Sequence, residues 1–306
     1  MELNFKSLSA LLKHFQNEDT CVEFLKKQRW NNKPVCPHCG SMKTPYETNR
    51  GYKCSEKECH KKFSITTGTI FENTKIKLSL WYAAIYIASA HKKGISSHQL
   101  AKDLGITQKS AWFMLMRIRE GMKERNPKML VGTTQADETF VGDKNRNRHN
   151  DKKVELSQGR SVKDKTPVFG LLNNGSVNTQ VVADTKAITL KPIIKEMVEK
   201  GSIIVTDEWG AYNGINSDFQ HEVVKHKESN YVSTTGFHTN GIEGYWSFFK
   251  RGIYGIYHHA SPKHLQRYCN EFSYRFNTRV IKDTDRFSLS LTKINGRLTY
   301  KNLIQK

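Results

Sequence analysis

The sequence predicts a multidomain α/β protein in which a zinc ribbon and a helix-turn-helix precede a mixed-sheet domain. Three observations carry that prediction. Four of the six cysteines fall within residues 36–59, three helical patterns follow between residues 78 and about 125, and after Pro127 the texture changes to short strands interleaved with helices.

Taken in order, residues 1–33 read as two short amphipathic helices, with Leu8, Leu11, Leu12 and Phe15 at helical spacing and Cys21, Phe24 and Leu25 repeating it. Residues 34–76 read as the zinc ribbon. Two residues separate Cys36 from Cys39, 14 lie between the pairs, and four separate Cys54 from Cys59. Two cysteine pairs on tight turns supply the tetrahedral sulfur set that one structural Zn2+ prefers, with His60 as an alternative to Cys59. So few cysteines, bunched in this way, exclude a disulfide scaffold.

Residues 77–128 read as the helix-turn-helix. Ser96 and Gln99 form a capping box, Leu100, Ala101 and Leu104 share a face, and Thr107 caps a second helix whose apolar face holds Ala111, Leu115, Ile118 and Met122. Gln108, Lys109, Arg117 and Lys123 lie opposite and are candidates for DNA contact, set against a plain helical hairpin with a solvated charged face.

Residues 129–280 read as one mixed domain: strands near 133–142, 167–172, 176–183 and 202–206, a helix at 188–198, then helices from 241 to about 253 and 262 to about 277. Residues 281–306 read as a basic tail. Between Gly142 and Lys165 runs a long polar stretch whose Lys144, Arg146, Arg148, Lys152 and Lys153 are candidates for gripping a DNA backbone.

With 49 Lys plus Arg against 29 Asp plus Glu, the formal charge is +20, which favours a polyanionic partner, nucleic acid before anionic membrane. The densest excess, 10 basic against 3 acidic residues, falls within residues 77–130. The longest apolar run spans 13 residues, short of the roughly 20 a bilayer requires, and the N-terminal residues carry no signal-peptide pattern. The expected location is the cytoplasm.

Three acids stand out by context. Asp137 lies mid-strand, Asp207 closes the apolar run Ile203–Thr206, and Glu243 sits in the first turn of an aromatic-rich helix with Lys250 two turns along the same face. Gathered together, they would suit two hard divalent cations, Mg2+ or Mn2+, and Lys250 a substrate phosphate. Alternation alone leaves Glu138 as an alternative to Asp137, and Glu243 also fits a capping box with Asn240.

Phe63-Ser-Ile-Thr-Thr-Gly-Thr-Ile-Phe71, Gly94-Ile-Ser-Ser-His-Gln-Leu100, Thr107-Gln-Lys-Ser-Ala-Trp112 and Asp137-Glu-Thr-Phe-Val-Gly142 occur here in that order. Further on come Thr206-Asp-Glu-Trp-Gly-Ala-Tyr212, His238-Thr-Asn-Gly-Ile-Glu-Gly-Tyr-Trp-Ser-Phe-Phe-Lys-Arg-Gly252 and Tyr257-His-His259. Together they resemble the IS1595-type (ISXO2-like) bacterial insertion-sequence transposases, from about residue 30 to 278. The resemblance implies an RNase H-like catalytic domain of the DDE type, with Asp137, Asp207 and Glu243 as metal ligands and Lys250 on phosphate. It admits Asn240 as the third active-site residue in place of Glu243. It also implies double-stranded DNA partners, both the inverted-repeat ends and the target, a homodimer or larger assembly on DNA, and association with the nucleoid. A non-catalytic DNA-binding regulator and a nuclease that cuts without joining are the competing readings.

Overall fold

In the computed structural model the chain divides into two units, residues 1–122 with 280–306, and residues 123–279. The structure describes residues 5–143, 145, 149–155, 161, 163–225 and 236–305.

The first unit is built on α3 (Leu78–Ala90), which is apolar all round and buried from Trp81 to Ser89. Around it pack α1 (Leu8–His14), α2 (Glu18–Trp30), α4 (Ser97–Leu104), α5 (Gln108–Gly121) and α9 (Asp283–Thr292). Tyr82 is the hub: its ring meets Phe15 at 4.8 Å and Phe287 at 5.9 Å between centroids, and its hydroxyl donates to the Cys21 carbonyl at 2.9 Å. Offset and edge-on aromatic contacts of this kind add directional preference to apolar burial.

Residues 281–306, expected as a tail, hold α9 and α10 (Tyr300–Ile304). Phe287, Leu291, Ile294, Leu298 and Leu303 are buried, Thr284 Oγ1 donates to the Phe5 carbonyl at 2.7 Å, and Arg286 Nη1 donates to the Ser89 carbonyl at 3.2 Å. Basic residues alternate with these anchors, so a composition-based reading sees the charge and misses the apolar stripe.

α4 and α5 are joined as their caps dictate. Ser96 Oγ accepts from Gln99 N at 3.1 Å, Gly105 ends α4 in the left-handed conformation at φ 63°, and Thr107 Oγ1 accepts from Ser110 N at 3.2 Å. The cysteine-rich segment forms a small antiparallel sheet, β1 (Tyr46–Thr48), β2 (Gly51–Lys53) and β3 (Lys62–Phe63). Its apolar content is slight: Trp30, Tyr52 and Phe63 gather beside Cys36 and Cys54.

The second unit is a five-stranded sheet, in spatial order β6 (Ser176–Val181), β5 (Thr166–Asn173), β4 (Thr133–Val141), β7 (Ile203–Thr206) and β8 (Gln220–Val223). β4, β5 and β6 run antiparallel, while β7 and β8 lie parallel to β4. The short polar β8 was not foreseen, because Gln-His-Glu-Val carries too little apolar content to read as a strand. One face packs on α6 (Ala187–Met197) through Ala136, Phe169, Leu171, Leu190, Ile194, Ile204 and Tyr212. The other face receives α7 (Asn240–Gly252) and α8 (Pro262–Asn277).

α8 also blunts the exposed edge of β6. Asn277 accepts from Val177 N at 2.7 Å and donates to Val177 O at 3.0 Å, and Gln266 does the same for Val181 N and Thr179 O at 2.7 and 3.0 Å. Side-chain amides thus stand in for the missing neighbour strand.

Candidate functional site

The four thiols of Cys36, Cys39, Cys54 and Cys59 lie within 4.8 Å of one another, with Cys39 and Cys54 at 3.6 Å and Cys36 and Cys59 at 3.9 Å. Tetrahedral zinc with Zn–S bonds of about 2.3 Å requires sulfurs about 3.8 Å apart, so the quartet fits a structural zinc ion. Among the described residues no other group of metal-binding side chains is drawn together in this way. Cys59, and not His60, belongs to the quartet: His60 takes a positive φ of 45° just beyond the turn.

The carboxylates are arranged by the sheet. Thr133, Thr134 and Gln135 of β4 pair with Ile203, Ile204 and Val205 of β7. β7 ends at Thr206, so Asp207 is the first residue beyond it, past the paired stretch on the same side as Asp137 in β4. Strict alternation then separates Asp137 from Glu138. Ala136 and Phe169, which pairs with Glu138, belong to the α6 side, and there the Tyr212 hydroxyl donates to Glu138 Oε1. Gln135 and Asp137 face α7.

Tyr212 is held well above the ordinary phenol range, first by burial, then by the charge and hydrogen bond of Glu138, then by the charges of Asp137 and Asp207. The two aspartates therefore act on one neighbourhood. Asp207 also shapes its own loop, its Oδ1 accepting from Trp209 N at 3.0 Å while Trp209 Nε1 donates to Thr185 O at 3.0 Å.

α7 is fastened over Asp137 at two points. Gln135 Oε1 accepts from Ile242 N at 2.9 Å, capping a first-turn N–H from the sheet. Gly170, directly opposite Asp137, leaves the room that Trp246 occupies: a Cβ there would stand 2.6 Å from Trp246 Cζ2 and 3.1 Å from Ile242 Cδ1. Gly170→Ala should lower stability by about 1–3 kcal/mol in urea unfolding by lifting α7 from the sheet.

Glu243, exposed in the first turn, accepts from Thr239 Oγ1 at 2.7 Å. Thr239 is the N-cap and Asn240 the first helical residue, so the alternative capping role of Glu243 is directed to Thr239 and not to Asn240. Lys250 keeps much of its surface exposed. The protein packed around it nevertheless lowers its pKa from the ordinary lysine value, Asp137 opposing this and Lys165 adding to it.

Two family models match the chain: the transposase zinc-ribbon domain over residues 16–62 and the ISXO2-like transposase domain over residues 129–277. The chain belongs to the ISXO2-like (IS1595-type) transposase family.

A family relative, described as an uncharacterized protein in transposable element ISH50 of Halobacterium salinarum, is 26% identical over 279 residues, covering 86% of this chain and 92% of its own. An uncharacterized transposase-like protein of Haemophilus influenzae is 34% identical over 108 residues, 35% of this chain and 85% of its own. A solved pre-cleavage Mos1 transpososome aligns over 95% of this chain and 98% of its own at 11% identity, with a TM-score of 0.21, too low to bear on the fold.

Within this family member, the residues singled out for DNA divide sharply. Gln108 and Lys109 are exposed in the first turn of α5, Gln108 Nε2 donating to Ser97 Oγ at 2.8 Å and Lys109 lying 5.3 Å from the Tyr300 ring centre. Lys123 and Lys153 are also exposed. Lys144, Arg146, Arg148 and the side chain of Lys152 lie outside the described residues.

Arg117 is buried. Its Nε donates to Leu298 O at 3.1 Å, its Nη2 to Glu72 O at 2.7 Å, and its guanidinium lies 4.7 Å from the Phe113 ring centre. It faces the segment leading to α10, which occupies the side of α5 that the sequence alone left open. Arg117→Ala should therefore cost about 2–4 kcal/mol of stability while leaving non-specific DNA affinity near wild type, as thermal unfolding and filter binding would show.

Sequence reasoning missed Gln135 and Tyr212. Both act across the sheet between residues far apart in the chain, although the alternation of β4 already placed Gln135 on the face of Asp137.

Proposed function

We propose that this chain is a DNA transposase that cuts at the ends of its element and joins the freed 3′-hydroxyl to target DNA. The observation that carries the reading is that β4, which holds Asp137, pairs in parallel with β7, which Asp207 directly follows, and that the helix bearing Glu243 and Lys250 packs on β4. A five-stranded mixed sheet flanked by helices on both faces supports the RNase H-like assignment.

Carboxylate oxygens from Asp137 and Asp207, with Glu243 on the helix packed against β4, would offer a hard donor set suited to Mg2+ or Mn2+. When bound, two such ions supply charge neutralisation at phosphorus and a more acidic attacking hydroxyl. The chain's own residues do the rest. Lys250 offers a point charge to a phosphate oxygen beside Asp137. Gln135 and Trp246 hold α7, and so Lys250, over the sheet, while Glu138 and Tyr212 brace β4 from its other face. Gln108 and Lys109, at the N-terminus of α5, support reading α4 and α5 as a helix-turn-helix that meets the terminal inverted repeats. Two ends must be joined to one target, so a dimer or larger assembly on DNA is expected.

One assay tests this. A labelled duplex carrying the inverted repeat that flanks the gene is incubated with the protein, Mg2+ and a target plasmid. Joined product is the expected result. Nicking without joining would make the chain a nuclease, and bound but intact DNA would make it a regulator; either outcome overturns the proposal.

A further inference from the structure

α7 does not stop cleanly after Lys250. It runs into a π-type turn, Ile253–Tyr257, and then into His258, a non-glycine residue at φ 59°, ψ −45°. Single π turns occur often at functional sites, and L residues rarely hold such a conformation unless their surroundings impose it.

Two contacts fix the residues on either side of it. The Tyr254 hydroxyl donates to Gly142 O at 3.2 Å, and His259 Nδ1 lies 3.5 Å from Asp143 Oδ1. The turn is thereby stapled to the chain just beyond the end of β4. At about 3.3 Å per residue, Gly142 lies about 16 Å along from Asp137, too far to reach the same phosphate but well placed for another on the same DNA.

The His258 ring is oriented as well as exposed. Its Nδ1 lies 3.1 Å from Tyr254 O. A carbonyl oxygen only accepts, so Nδ1 carries the proton and Nε2 is left directed away from the turn. A phosphate oxygen brought against Nε2 favours a proton there, and the ring then donates to it through a charge-assisted hydrogen bond. Lys250 and Arg251, both exposed on the last turn of α7, extend the same basic rim from the Asp137 side.

We propose that His258 contacts a DNA phosphate flanking the scissile one, its strained backbone being what presents the ring. This rests on Asp137 and Asp207 marking the place of cleavage. The full-length protein is tested as wild type, His258→Gly and His258→Asn on a labelled end duplex with Mn2+, alongside duplexes in which single phosphates near the cut are replaced by neutral methylphosphonate.

Glycine adopts positive φ freely, so His258→Gly should melt at or above the wild-type temperature. It should cut about tenfold more slowly than wild type. At one flanking position, methylphosphonate should slow wild type about tenfold and His258→Gly hardly at all. His258→Asn, which tolerates the backbone but has no ring nitrogen to offer a phosphate, should resemble His258→Gly.

Wild-type cutting by His258→Gly, a clear fall in its melting temperature, or the absence of any phosphate whose effect depends on His258 would each overturn the inference while leaving the transposase reading intact. A wild-type protein that binds the end but never cuts it overturns both.

Discussion

Asp137→Asn and Asp207→Asn should each reduce strand cleavage by about a thousandfold or more while leaving end binding nearly unchanged. Asparagine keeps the shape and the hydrogen-bonding reach of aspartate and removes only its charge. Several kcal/mol of metal-borne stabilisation at the transition state is then lost, each 1.4 kcal/mol being worth about tenfold in rate. The sheet should tolerate the change, since Asp137 faces α7 and lies outside the packed cluster around Tyr212. The readout is single-turnover cleavage of a labelled end beside its binding isotherm. If binding collapses together with cleavage, the aspartates are structural and the proposed site is wrong. Glu243→Gln set against Asn240→Ala extends the test: loss of cleavage in the second alone would move the third role to Asn240.

Removing zinc should unfold the ribbon and leave the five-stranded sheet in place. The ribbon's apolar cluster is Trp30, Tyr52 and Phe63 with two of the cysteines. A core of that size cannot offset the conformational entropy of the hairpin without a metal, and zinc contributes on the order of 10 kcal/mol or more in comparable small modules. Without the ion, the Cys54 thiol resists becoming the thiolate zinc requires. The Glu56 backbone amide favours the Cys54 thiolate, yet desolvation and hydrogen bonds with Cys39, Cys36 and Cys59 outweigh it and push Cys54 up to about 12. Chelation, or Cys54→Ser, should expose the amides of β2 to rapid hydrogen exchange while those of β4 and β5 stay protected. His60→Ala should retain one zinc per chain by metal analysis, and Cys59→Ser should not. A ribbon that remains protected after chelation would show that its side chains suffice.

Much of the architecture was legible because local rules and global packing agree. The caps at Ser96 and Thr107, the apolar run of α3 and the paired cysteines each announce one structure only. Legibility failed where a residue's role is set by a partner distant in sequence. Arg117 has the composition of a DNA contact and the surroundings of a core residue, because Leu298 O and Glu72 O receive its guanidinium. The apolar stripe through Phe287, Leu291 and Ile294 was legible in principle, but interspersed basic residues masked it.

The site shows the same division. Sequence alone offered Asp137, Asp207, Glu243 and Lys250 as candidates for the proposed chemistry and the cysteines as a metal set, since residue type and spacing determine what chemistry a chain can offer. It could not choose between Asp137 and Glu138, or between Cys59 and His60. Those choices belong to the tertiary structure: strand pairing decides which face an alternating residue occupies, and the turn after Glu56 decides which ligand comes within reach. A period of two divides a strand into two faces, and only the elements packed against it give each face its environment.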